Sequence, residues 1–216
     1  MTEEEWATTT DMSAVFDLSS GSFSTRKLRL FATACCRQNW ELLTDDRERR
    51  LVEVAERLAD GEATHQERTS ANAGLDDFCQ EDRERSDFKF QTILDGSLLL
   101  DQFDSGIAWY WAFEMQCPPF KSTRSEKERV AEQAAILRDL FGNPFRPVAF
   151  DPRWRTADAV GLARGIYDER AFDRLPFLAD ALMDAGCADE QVLGHCRSDG
   201  PHVRGCWVVD LVLGKG

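Results

Sequence analysis

The stretch STRKLRLFATACCRQNWELL, residues 24–43, decides the fold class. Leu28, Phe31, Ala32, Cys35, Leu42 and Leu43 fall on one stripe at helical spacing, and Ser24 stands where an N-cap accepts a free backbone amide. An amphipathic helix needs a partner face, and the next segment supplies one. DDRERRLVEVAERLADG (45–61) repeats the pattern through Leu51, Val54, Ala55 and Leu58, then closes at Gly61, a residue suited to a C-cap. A polar helix from Thr64 to Arg85 follows, so the first three helices are expected to form a bundle wall. No alternating run of β-branched residues is long enough to demand a strand.

Farther along, residues 88–116 become apolar on all sides, as in GIAWYWAFEMQ (106–116), which predicts a helix enclosed by others; Trp109, Tyr110, Trp111 and Phe113 are read as core. CPPF (117–120) stops it, because proline lacks the amide donor and collides with the preceding turn. STRSEKERVAEQAAILRDLFG (122–142) predicts a further helix capped by Ser122 or Ser125 and closed by Gly142. NPFRPVAFDPRWR then holds Pro144, Pro147 and Pro152 and must run extended. Short helical segments fill the remainder. The expected architecture is all-α: residues 1–142 an N-terminal helical bundle, 143–155 a proline-rich extended crossing, and 156–216 a compact C-terminal helical lobe packed on the bundle. Phe145, Phe150 and Trp154 are expected to pin the lobe to the bundle.

The chain has 216 residues, 43% of them apolar, enough for a sizeable core. Its 26 basic and 39 acidic residues leave a net charge of −13, which argues against a sequence-independent grip on nucleic acid. The most apolar segment carries Asp95, Asp101 and Asp104, each costly in hydrocarbon, so no membrane partner is expected. MTEEEWATTT is acidic where a signal peptide is basic and then apolar, and the cysteines number seven, an odd count; a cytoplasmic location with reduced thiols is the expectation. Residues 24–37 carry four bases and no acid, a face suited to an acidic neighbour.

Three cysteines and two histidines concentrate in GCADEQVLGHCRSDGPHVRGCW (186–207). His195, Cys196, His202 and Cys206 have the chemistry of a zinc set, and His202 with Cys206 would be an i, i+4 pair if the last helix began at Pro201. Against this, adjacent residues 195 and 196 diverge by about a hundred degrees on a helix, and Cys187 lies a helix length from His195. The structural alternative treats the cysteines as small buried hydrophobes and His195 as a helix-end cation. It is the favoured reading, so no cofactor is expected, with zinc at those four residues as the alternative.

Cys35 and Cys36, adjacent on a helix, are poorly placed for a disulfide and read as core and partly buried filler. Glu62 and His65 have half the spacing of a di-iron site without a second pair, which leaves His65 on the surface. HExxH, GxSxG, P-loop and dinucleotide signatures are all absent from the chain, so an enzyme is not expected.

The segments STRKLRLFATACCRQNWELLTDDRERRLVEVAERLADG, LRDLFGNPFRPVAFDPRW, IYDERAFDRLPFLADALMDAGC and HCRSDGPHVRGCWVVDLVLGK resemble an uncharacterised bacterial family abundant as paralogues in planctomycetes. The resemblance covers roughly residues 1–60 and 134–215 and implies no activity or catalytic residue. Some members bear labels from a toxin-immunity superfamily of mainly α/β fold, which does not match the helical periodicity of this chain. Taken together, the expected function is a non-enzymatic protein–protein interaction module with an acidic surface and a protein partner. Arg26, Lys27, Arg146, Arg153 and Trp154 are the candidate contact residues. A zinc-stabilised protein and an immunity or inhibitor protein that meets a basic toxin are the alternatives.

Overall fold

The computed structural model describes residues 1–11, 14, 15, 24–81 and 125–215. Among the described residues the protein is all-α, with nine α-helices, three short 3-10 turns and no strand. The enclosed aromatic helix expected at 88–116, CPPF, Ser122 and Cys117 lie outside the described residues. Among the described residues no helix is long and apolar enough to cross a membrane.

The chain divides into two compact units. One comprises Thr8–Ala134 and the other Ala135–Gly216 together with Thr2–Ala7. The division falls inside a helix, ahead of the proline-rich segment where the sequence places it, and residues 143–155 belong wholly to the second unit. Within that unit Phe150 and Trp154 meet edge to face at 5.2 Å and pack on the C-terminal core, and Phe145 is exposed.

In the first unit, α2 (Thr25–Arg37), α3 (Asp46–Ala59) and α4 (His65–Glu81) pack in sequence, α2 on α3 and α3 on α4. Their starts are written in the chain. Ser24 Oγ accepts from Lys27 N, Asp45 and Glu48 form a reciprocal capping box, and Thr64 and Glu67 form another. Gly61 takes φ +72° just after α3, as the sequence expects.

Helix α2 departs from the amphipathic reading, because everything from Leu28 to Cys36 is buried, including Arg29 and both cysteines. Cys36 is therefore core, not partly buried filler. The expected basic face is largely neutralised within the unit: Arg26 Nε lies 3.0 Å from Asp60, and Arg37 makes a bidentate pair with Glu56 at 3.0 and 2.8 Å while stacking on Trp40. Two of the four bases of this segment are thus paired with acids in, or just after, the chain's own next helix. His65 is exposed, as expected.

The second unit holds α1 (Glu3–Thr8) through Ala7, the end of α5 (Glu126–Phe141), and the helices α6 (Ala157–Glu169), α7 (Leu175–Asp184), α8 (Glu190–Cys196) and α9 (Trp207–Leu213). Helix α5 starts at a Ser125–Glu128 capping box, one of the two expected caps, and ends at Gly142 with φ +68°. Its Arg138 donates to Trp6 O, and Glu3 pairs with Arg146, which fastens α1 beside it. Thr156 caps α6 and Asp189 caps α8.

The core of this unit follows helical periodicity: Ala159, Ala163, Ile166 and Tyr167 from α6; Leu175, Leu178, Ala179 and Leu182 from α7; Val192 from α8; Val208, Val209 and Val212 from α9. Cys187, Cys196 and Cys206 complete it.

Candidate metal centre

Four side chains of the second unit converge on one point: Asp139, His195, His202 and Cys206, each offering one donor atom, with all four atoms within 4.8 Å of one another. Asp139 comes from the last turn of α5, His195 from the last turn of α8, and Cys206 from the residue before α9. His202 lies in the loop 197–206. That loop corrects a sequence expectation, since the last helix begins at Trp207 and not at Pro201. His202 and Cys206 meet because the chain turns back, with Cys206 N bonded to Val203 O and Gly205 at φ +92°, a left-handed conformation that favours glycine.

The structure brings together three of the four residues singled out in the sequence and leaves out Cys196. His195 and Cys196 are neighbours on α8, and the hundred-degree turn between them sends one side chain to the polar centre and the other into the apolar core. Burial raises the Cys196 thiol to about 12. Cys187 is likewise in the core and its thiol is raised by burial. The fourth donor, Asp139, has no spacing signature in the sequence, standing 56 residues before His195 among 39 acids. A usable signal existed. Ile136, Leu137 and Leu140 are fully buried around it, so an acid sits on the buried side of an apolar run, where a carboxylate needs a specific partner.

Asp139 is 3% exposed. Its Oδ2 accepts from Val203 N at 2.9 Å, leaving Oδ1 to face the two imidazoles. His202 Nδ1 is 2.8 Å and His195 Nε2 3.0 Å from that oxygen, and His195 Nε2 is 3.1 Å from Cys206 Sγ. His202 Nε2 lies 3.2 Å from the Ser198 carbonyl, which only accepts, so this nitrogen carries the hydrogen. A neutral His202 then aims the Nδ1 lone pair at a carboxylate oxygen, an arrangement that requires a positive charge between them. A proton on Nδ1 supplies it in the metal-free protein, and a cation supplies it otherwise.

The electrostatics of the cluster follow from these contacts. Burial alone would raise the Asp139 carboxyl, but the bonds to His195 and His202 outweigh it and hold the group below the usual range. Burial would lower His202, but Asp139 outweighs it and raises the imidazole. Cys206 is fully buried, and burial, reinforced by the Asp139 charge, pushes its thiol well above the ordinary value.

A nucleophilic cysteine is a poor account of this geometry. In a Cys-His-Asp relay the carboxylate holds one ring nitrogen and the sulfur meets the other. Here Asp139 and Cys206 both approach Nε2 of His195, and the thiol has no exposed surface. Convergence of carboxylate, two imidazoles and sulfur on one point is instead what a tetrahedral cation requires. Donors bound at about 2.0–2.3 Å to zinc lie roughly 3.3–3.8 Å apart; the contacts here, 2.8, 3.0 and 3.1 Å, are hydrogen-bond lengths within a set that spans up to 4.8 Å, so taking up an ion requires them to open by a few tenths of an ångström.

The five candidate contact residues fall in different units and are locally engaged. Arg26 is half-buried on Asp60; Lys27 is also half-buried. Arg146 pairs with Glu3, Arg153 with Asp151, and Trp154 with Phe150. Comparison with family models, curated proteins and solved structures finds no match to this chain.

Proposed function

We propose that the C-terminal unit is a zinc-stabilised helical module, in which Asp139, His195, His202 and Cys206 hold one ion and the ion holds together the end of α5, α8 and the loop into α9. The single observation that carries this reading is the convergence of those four donors, Asp139 and Cys206 buried and the two histidines half-buried. Two further features support it. The Ser198 carbonyl fixes the His202 tautomer so that Nδ1 is the ligating atom, the outer-shell arrangement of metal-bound histidines. Asp139 and a Cys206 thiolate, the two buried donors, supply two negative charges, which match a divalent ion.

The donor count favours a structural over a catalytic role. With Oδ2 of Asp139 engaged by Val203, the carboxylate has one oxygen to give. Four protein donors fill a tetrahedron, whereas catalytic zinc sites keep a position for water. A non-enzymatic scaffold is the role this supports, and a protein partner remains its proposed use.

Cobalt is the probe. Metal-free protein titrated with cobalt(II) should develop the intense visible bands of a tetrahedral site and a thiolate charge-transfer band, reversed by excess zinc. Only the weak absorption of six-coordinate cobalt would overturn the reading.

A further inference from the structure

The four donors come from four separate places in the chain, and metal sites tolerate displacements of only about 0.2 Å. Something besides the ligands must set their register. Trp207 occupies the point where the ligand-bearing elements meet. It is the first residue of α9, directly after Cys206, whose backbone (φ −44°, ψ 130°) opens the helix without its side chain serving as a cap. Its indole lies 5.1 Å from the His195 ring, tilted by 53°. The His195 ring has His202 on it as well, edge on at 4.9 Å.

The indole also closes on Gly142, three residues after Asp139. A Cβ built on Gly142 would come within 3.1, 3.2 and 3.4 Å of three indole carbons, so the absence of a side chain is what lets the ring sit flush against the end of α5. One aromatic plate therefore bears on the α5 terminus that carries Asp139, on His195 itself, and on the backbone that carries Cys206.

We propose that Trp207, seated against Gly142, is the positioning residue of the metal centre: it supplies no ligand itself but, through the His195 ring and the end of α5, sets the spacing of Asp139, His195 and Cys206. This rests on the zinc reading above. An alanine at 142 would have to push the indole back by a few tenths of an ångström, more than metal bonds tolerate, and the ring would carry His195 and the start of α9 with it.

Backbone strain offers a competing explanation for any effect of Gly142→Ala, because Gly142 has φ +68°, and the fold supplies its own control. Gly214 closes α9 with φ +69°, but a Cβ there meets only the Arg155 guanidinium at 3.6–4.0 Å, ordinary contact. Gly214→Ala therefore carries the same left-handed strain without crowding Trp207.

The experiment measures zinc affinity by competition with a chromophoric chelator, and cobalt(II) spectra, for the full chain and the variants Gly142→Ala, Gly214→Ala, Trp207→Phe and Trp207→Leu. Gly142→Ala and Trp207→Leu should bind zinc roughly 10–100-fold more weakly, the range of outer-shell changes, with shifted cobalt bands. Trp207→Phe should recover part of the loss, and Gly214→Ala should leave affinity and spectrum unchanged. Equal affinity and identical spectra in Gly142→Ala, Trp207→Leu and the parent protein would overturn the proposal while leaving the zinc reading intact. Equal losses in the two glycine variants would also overturn it, since strain alone would then suffice. A parent protein that binds no zinc sinks both.

Discussion

Replacing Asp139 by asparagine tests the centre at its most buried charge. The amide keeps the shape of the side chain and an oxygen for Val203 N, but removes the charge facing His195 and His202 at 3.0 and 2.8 Å. Removing one partner of a buried ionic pair typically costs about 3–5 kcal/mol. The low end applies here, about 3 kcal/mol, because His202 can shed its proton and need not remain as an unpaired buried cation. That is a large share of a typical folding stability of roughly 5–15 kcal/mol. The zinc increment should fall too. At a free zinc concentration of about a hundred times Kd the parent protein gains about 2.7 kcal/mol, and a variant bound a hundredfold more weakly gains only about 0.4 kcal/mol. Urea denaturation at pH 6, with and without buffered zinc, measures both quantities. An Asp139→Asn protein within about 1 kcal/mol of the parent when metal-free, with an undiminished zinc increment, would refute the reasoning.

Three other outcomes follow from the same geometry. Cys206→Ser should abolish the thiolate-to-cobalt band, whereas Cys196→Ser should leave metal stoichiometry unchanged and lower only stability, as expected of a buried thiol in an apolar core; cobalt spectra of the two variants distinguish them. For the metal-free protein, the raised His202 contributes stability that is complete below its unfolded pKa of about 6.5 and is lost as pH rises through the folded value, while the lowered Asp139 contributes stability present above about 3.9 and lost as pH falls through its own. The stability difference between parent and Asp139→Asn should therefore be greatest between about pH 4 and 6.5 and shrink at higher pH; a difference that grows from pH 6 to 9 contradicts it. Cys35, Cys36, Cys187, Cys196 and Cys206 are all buried, so peptide mapping after alkylation of the native protein should find these five unlabelled until denaturant is added.

Much of this fold is legible in the chain because its signals are local. The cap at Ser24 and the glycine stops at Gly61 and Gly142 each act within one helical turn and are found where the sequence places them, and Ser125 is one of the two caps the sequence offers for its helix. What escapes the sequence is set by tertiary partners. The burial of Arg29 and Cys36 reflects neighbours on every side of α2, which apolar periodicity does not encode. The unit boundary falls inside α5, ahead of the prolines, and the residues after it make bonds to distant segments, Arg138 to Trp6 and Asp139 to Val203, that no local pattern encodes. At the centre, His195, His202 and Cys206 are found by their concentration within twelve residues, but Cys196 shares that concentration and points the other way. Asp139 joins them only through the fold, its one local mark being a carboxylate set among buried leucines.

The most direct test of the metal centre is the elemental content of protein purified without added metal and passed over a desalting column. The account predicts about one zinc per chain in the parent protein, as a closed four-donor site retains its ion, and far less in Asp139→Asn prepared in parallel. Parent protein with no bound transition metal, which also fails to take up zinc when it is supplied, would contradict it and leave Asp139, His195, His202 and Cys206 as a buried polar network.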